Sequence, residues 1–160
     1  MIDIADRIIP EQLFGYTTHA LMIPPIPVQT ALILGYGNGV VDHLMQKVWG
    51  GTIKVTGVDK IIPKNIESDA LLVEMDANRY LQGCDHQYDF TVIDLYDGDV
   101  IPEFVFTDEF VSLVRAATKK MLAINATVHR WNDFKMYDKY FTVDAVKQVN
   151  ADKVLFMTVK

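Results

Sequence analysis

The sequence predicts an α/β domain with a mainly parallel sheet of about seven strands, the last antiparallel, and helices on both faces. Three observations carry that prediction. Apolar runs of strand length alternate with amphipathic runs of helix length along the chain, the pattern of a parallel sheet covered by its crossover helices. The apolar run Ala31-Leu-Ile-Leu34 ends in Gly35-Tyr-Gly-Asn-Gly39, three glycines spaced by two, directly ahead of a helix-like stripe. The next apolar run, Ile53 to Val58, closes on Asp59, 20 residues beyond Gly39. An uninterrupted apolar run suits a strand buried on both faces, and glycines let the backbone turn and approach a ligand with no Cβ in the way. A carboxylate at the end of the neighbouring strand can accept hydrogen bonds from a ribose diol. In that strand-to-helix context the glycine loop and the acid read as a Rossmann-like nucleoside site.

Taken in order, Glu11 to Met22 reads as a helix that stops before Pro24. Pro24-Pro25-Ile26-Pro27 is extended, because proline sets φ and drives its predecessor out of the α region; residues 1–29 are expected to form a lid or lead-in segment. A strand follows over 31–35, then a helix over 40–49 with Val40, Val41, Leu44, Met45 and Val48 on one stripe. Strands are predicted over 53–58, 70–75 and 88–95, a helix over 107–118, a strand over 120–126 and a helix over 131–140. Trp131, Phe134, Tyr137 and Phe141 fall at helical spacing and are assigned to packing. Phe141 to Val149 and Lys153 to Val159 fit two antiparallel strands about a short turn, although Val143, Val146 and Val149 also fit a helical stripe. Only about ten residues separate Asp59 from the strand near Ala70, where a parallel crossover normally takes a dozen or more and carries a helix. The helix after the second strand is therefore expected to be missing or reduced. Apolar sheet surface left uncovered usually finds a partner, so a homo-oligomer is expected.

At 160 residues the chain fits one domain, 1–160, large enough to bury a core without disulfides. Cys84 is the only cysteine, which excludes an internal disulfide and a multi-cysteine metal site. His43, His86 and His129 share no ligand spacing with other metal-binding side chains, so no metal is expected. A formal net charge of −6 gives no electrostatic footprint for nucleic acid. Ala20 to Val41 contains no charged residue, but its prolines and glycines exclude a membrane span. The opening Met-Ile-Asp-Ile-Ala-Asp lacks the basic start of a signal peptide. A soluble, cytoplasmic protein without nucleic-acid or membrane partners is expected.

Four segments carry candidate chemistry: the loop Gly35 to Gly39, Asp59, Asp76-Ala77 after the third strand, and Asp94-Leu-Tyr-Asp97 at the end of the fourth. All fall at carboxyl ends of predicted parallel strands, the edge at which open α/β sheets bind ligands. Together with Tyr88-Asp-Phe-Thr-Val-Ile-Asp94-Leu-Tyr-Asp97, Phe106-Thr-Asp-Glu-Phe110 and the earlier Phe14-Gly-Tyr16 and His19, the set resembles the spermidine synthase-like (polyamine aminopropyltransferase) superfamily, within the class I S-adenosylmethionine-dependent methyltransferase fold. The resemblance covers residues ~11 to 160.

That resemblance implies a transferase that binds S-adenosylmethionine or its decarboxylated form and moves an aminopropyl or methyl group to a small amine or other nucleophile. It implies that Gly35, Gly37 and Gly39 face the amino-acid or aminopropyl end of the cosubstrate, Asp59 the ribose hydroxyls, and Asp76 with Ala77 the adenine edge. Asp94 would orient the attacking amine and accept its proton, Asp97 would bind the amine, and Tyr16 and His19 would lie over the substrate. Hydrogen-bonding capacity agrees: a ribose diol and an adenine amino group are donors, and carboxylates accept. The chain departs from the family pattern at Asn38, where the family carries Asp, and at Gly98, where many members carry proline. The roughly 30 residues ahead of the first strand are too few for the family's β-stranded N-terminal domain. A trimmed, minimal member is implied, and a non-catalytic relic serving as a binding or assembly module is the competing expectation.

Overall fold

A computed structural model of the chain describes residues 17–149 and 152–160. After a short helix, α1 (Thr17–Ala20), the chain forms β1 (Thr30–Leu34), α2 (Val40–Trp49), β2 (Lys54–Asp59), β3 (Leu71–Glu74), α3 (Ala77–Gln82), β4 (Tyr88–Ile93) and α4 (Asp108–Ala117). It then continues through β5 (Thr118–Thr127), β6 (Phe141–Val149) and β7 (Asp152–Val159). One seven-stranded sheet results, in the order β3-β2-β1-β4-β5-β7-β6. Every pairing from β3 to β5 is parallel, and β7 lies antiparallel between β5 and β6. The sequence prediction of a mainly parallel sheet with its last strand reversed is what the structure shows.

Each face of the sheet builds its own core through the period-two alternation of the strands. On one face Ala31 and Ile33 of β1, Phe90 and Val92 of β4 and Met121 and Ala123 of β5 pack against Val41, Leu44 and Met45 of α2 and against Leu21 to Ile23. On the other, Leu32, Leu34, Ile93, Leu122 and Ile124 meet Leu81 of α3 and Phe110, Val111 and Val114 of α4. All of these side chains are buried. Gly39 and Gly50, both left-handed, bound α2 at its two ends, and Thr107 caps α4 by accepting the Phe110 N–H at 3.2 Å. The Phe-Thr-Asp-Glu-Phe segment therefore has a local structural cause: a capping threonine followed by Asp108 and Glu109 on the positive end of the helix dipole.

Three elements differ from the sequence prediction. The helix expected over 131–140 is a 3-10 helix, Val128–Lys139. Trp131, Phe134 and Tyr137 are spaced by three, and a helix with three residues per turn stacks them on one side. Phe134 and Tyr137 are buried there, and the Tyr137 hydroxyl donates to the Val105 carbonyl at 2.9 Å. Between β3 and β4 the structure inserts α3, a six-residue helix too short for a periodic signal. A further 3-10 turn, Glu103–Phe106, leads into α4. The expected loss of the helix between β2 and β3 is observed, since no helix lies between Asp59 and Leu71. Of the predicted helix Glu11 to Met22, Thr17 to Ala20 is helical and the part up to Tyr16 lies outside the described residues. The Phe141 to Val149 segment is a strand, with a register shift between Val143 and Ala145.

Candidate functional site

The glycine loop is built by contacts that only glycine allows. Gly35 has φ 88°, and a Cβ at that position would lie 2.0 Å from the carbonyl oxygen of Asp94. Its N–H donates to the Val58 carbonyl at 2.8 Å, while the Asp94 N–H donates to the Leu34 carbonyl at 2.9 Å. The ends of β1, β2 and β4 are thus locked to one another at this residue. Beneath the loop, Tyr36 is buried with its ring against Gly57, where any side chain would collide with it. Its hydroxyl is within hydrogen-bonding distance of Asp42 at 2.7 Å and Ser68 at 2.9 Å. Burial pushes the Tyr36 phenol well above its ordinary range; the Ser68 bond opposes that shift and the neighbouring Asp42 carboxylate adds to it. Ser68 lies in the shortened crossover and itself donates to Asp42 at 2.9 Å, so the glycine loop, the start of α2 and the helix-less crossover share one polar knot.

Above the loop opens a cleft of about 500 Å³ at the carboxyl edge of the sheet. It brings together Gly35, Gly37, Asp59, Asp76, Ala77, Asp94, Asp97 and His19 from the sequence assignment. Gly39 is not among its lining residues. It lines a separate cavity and stands at the start of α2, where an added Cβ would come within 2.8 Å of the Tyr36 hydroxyl and 3.0 Å of its ring. Tyr16 lies outside the described residues.

The carboxylates of the cleft have partners of their own. Asp59 Oδ2 accepts the Gly37 N–H at 2.7 Å, which fastens the loop to the end of β2. Asp76 Oδ1 caps α3 by accepting the Arg79 N–H at 3.1 Å, and Ala77 occupies the first helical position, where a backbone N–H has no acceptor within the helix. Asp94 Oδ1 accepts from Asn125 Nδ2 at 2.9 Å, and Oδ2 pairs with His19 Nε2 at 3.3 Å. Hydrogen bonding to Asp94 holds the His19 imidazole above its ordinary value; burial opposes this, and the charges of Asp94 and Asp152 add to it. Asp97 is exposed, in a tight turn closed by mutual backbone hydrogen bonds with Val100 around the left-handed Gly98.

Sequence reasoning missed Asn125, Tyr96 and Lys60, all of which line the cleft. Lys60 could have been found from its place directly after Asp59. Asn125 has no local signal: it enters because β5 pairs with β4 and carries it to the level of Asp94. Conversely, the Tyr88-Asp89 start of β4 is structural. Asp89 Oδ2 accepts the N–H groups of Gln29 and Thr30, which pins the start of β1. The Tyr88 hydroxyl sits between that of Tyr80 and the His86 ring.

Solved structures share this architecture. The ribosomal protein L11 methylase of Lactobacillus delbrueckii subsp. bulgaricus superposes with a TM-score of 0.69 at 13% identity, over 91% of this chain and 78% of that one. The N-methyltransferase NodS of Bradyrhizobium japonicum WM9, in complex with S-adenosyl-L-homocysteine, does so with 0.65 at 12% identity, over 93% and 87%. Fibrillarin of Aeropyrum pernix, with natively bound S-adenosyl-L-methionine, gives 0.65 at 14% identity, over 89% and 74%. The chain has the fold of the class I S-adenosylmethionine-dependent methyltransferases. No family model and no curated protein matches its sequence. Among the described residues, no helix is long and apolar enough to cross a membrane.

Proposed function

We propose that the protein binds S-adenosylmethionine in this cleft and transfers a group from its sulfonium to a small amine. The observation that carries the reading is the convergence, in one cavity at the carboxyl edge, of a glycine turn with no room for a Cβ and of carboxylates from three successive strand ends. The cleft volume of about 500 Å³ lies within the range of small-ligand pockets. The similarity to methyltransferase structures, two of them with S-adenosyl ligands, supports the same cosubstrate. In this reading Asp59 takes the ribose diol with the oxygen not bonded to Gly37, and Asp76 and the Ala77 N–H take the adenine. Asp94 stands across Gly35 from the nucleoside, and Asp97 stands at the cleft mouth.

The bound sulfonium supplies an electrophilic carbon and a neutral thioether leaving group. The acceptor nitrogen forms a bond to that carbon as the C–S bond breaks and its electron pair returns to sulfur; the proton shed by nitrogen passes to the Asp94 carboxylate. Aminopropyl transfer from decarboxylated S-adenosylmethionine, as the spermidine synthase resemblance implies, follows the same balance. A second reading, a ligand-binding relic without turnover, is favoured by one observation: both Asp94 oxygens are already engaged, by Asn125 and His19.

Thermal melts with S-adenosylmethionine, its decarboxylated form, methylthioadenosine and S-adenosylhomocysteine test the binding. At a ligand concentration of about 100 times Kd, linkage supplies roughly 2.7 kcal/mol, a rise of about 5–10 °C for a domain of this length. Asp59→Ala should remove most of the shift and leave the unliganded melt within a few degrees. No shift with any of the four compounds at millimolar concentration would refute the nucleoside site.

A further inference from the structure

Histidine is the side chain whose ordinary charge change falls between pH 5 and 8, and His19 is the only histidine among the described residues that line the cleft. The phenols of Tyr36 and Tyr96, which share the lining, are pushed up and away from that range, chiefly by burial. His19 Nε2 lies 3.3 Å from Asp94 Oδ2, with 34% of the histidine side chain and 13% of the aspartate side chain exposed. The chain on either side holds the ring in place. Thr18 donates to Asp152 at 3.1 Å, which ties α1 to the start of β7, and Ala20 to Ile23 are buried in the core.

The charges around the ring are acidic. The hydrogen bond to Asp94 favours the protonated imidazole, burial opposes it, and the charges of Asp94 and Asp152 add to the first effect. On α2, which also packs against α1, the buried Asp42 is engaged by Tyr36, Ser68 and Gln46, and neither His43 nor Lys47 acts on the ring. The cleft adds Asp97 at its mouth and Lys60 beside Asp59. A carboxylate only accepts, so Nε2 carries the hydrogen of the Asp94 contact whether the ring is charged or neutral. Losing the second ring proton removes the positive charge and keeps the hydrogen bond. A further cation within about 4–6 Å disfavours the charged imidazole. Because the backbone around His19 is fixed, the proton is what the pair gives up.

We propose that His19 is a proton-operated latch on the acceptor subsite: a cationic amine enters at Asp94 in exchange for the His19 proton. This rests on the reading of the cleft as a transferase site with the acceptor amine at its Asp94 end. One ammonium arrives and one proton leaves to solvent, so a carboxylate faces a single cation before and after. The full engagement of Asp94, which favours a relic, is then the closed state of the latch. Asp94 favours the charged ring and the ammonium opposes it. Amine affinity is therefore weakest below the His19 value of the free protein, climbs as pH rises through that value, and levels off above it. An alkylammonium keeps its charge up to about pH 9, as lysine does.

The test is calorimetric titration of the full chain with n-propylamine in steps from pH 6 to pH 9, with 1-propanol as the uncharged control. Each titration is run in two buffers of different ionisation enthalpy, which reveals released protons. Wild type should bind n-propylammonium about tenfold more tightly at pH 9 than at pH 6, the effect of a one-unit displacement of the His19 titration. Proton release should peak at about half a proton per amine at intermediate pH, and 1-propanol should show neither trend. His19→Gln keeps an N–H for Asp94 but does not titrate, so its amine affinity should be flat across the range and match or exceed that of wild type at pH 6. His19→Ala is the second variant should the glutamine fail to fold, and it should be equally flat. Equal affinity at both ends of the range in wild type, binding at neither, or a pH dependence that survives in the folded Gln or Ala variant overturns the latch. S-adenosylhomocysteine is titrated separately: its failure to bind would strike the transferase reading, whereas the amine titration without nucleoside decides the role of His19.

Discussion

At the scale of single residues, Gly35 and His19 bear the largest consequences. A methyl group on Gly35 would meet the Asp94 carbonyl at 2.0 Å, with backbone on both sides of the clash and a φ of 88° that disfavours any side chain. Gly37 has φ 54°, but a methyl group there would meet nothing within 4 Å. Gly35→Ala should therefore cost about 3 kcal/mol or more, against about 1–2 kcal/mol for Gly37→Ala, where only the left-handed conformation is penalised. Urea denaturation of the two variants checks the contrast, and equal midpoints would refute it. His19 gains its proton affinity from the hydrogen bond to Asp94, which exceeds the opposing effect of burial. A group whose value rises on folding stabilises most fully below its unfolded value, about 6.5 for histidine, and loses that contribution as pH rises through the folded value. Wild type should lose stability relative to His19→Gln as pH rises above about 6.5; melts of both proteins across that range supply the measurement, and parallel curves would contradict the ion pair. Of the residues in the cleft, those announced by a strand end followed by glycine or acid were legible in the sequence. Asn125 and Tyr96 were not, because what makes them part of the cleft is the neighbour beside them and not the sequence around them.

Among elements, the strands were legible and the short helices were not. Buried parallel strands are continuous apolar runs, so β1, β2 and β4 stand out at once. By contrast, α3 has six residues, less than two turns, and gives periodicity nothing to act on. The aromatic side chains spaced by three in Val128–Lys139 suggest an α-helix on sequence grounds, yet they stack only on a three-residue turn. The missing crossover helix was legible because chain length is an arithmetic constraint: too few residues join Asp59 to Leu71 to hold one. Its loss leaves Ile61 77% and Leu71 65% exposed on that flank. A second copy covering the flank should bury more than about 1,000 Å² in total, the scale of specific association. Sedimentation at micromolar concentration should then show a species heavier than the 18.1 kDa chain, and a lone monomer would rule this out.

For the whole molecule, the sheet is unevenly supported from one end to the other. At its centre β1 and β4 have strands on both sides and cores on both faces, while β3 has four residues, one neighbouring strand and the uncovered flank beside it. Local opening free energies follow such differences in packing, and amide hydrogen exchange reads them out. Amides of β3 should exchange orders of magnitude faster than those of β1 and β4, and uniform protection across the sheet would contradict this. The gradient runs straight through the cleft. Asp76 follows the edge strand that should open first and Asp59 ends the strand beside it, whereas Asp94 follows a strand that should open last. A nucleoside spanning those two acids would close the fraying edge, so its arrival should be recorded as slowed exchange in β2 and β3 while the strand beneath Asp94 registers almost nothing.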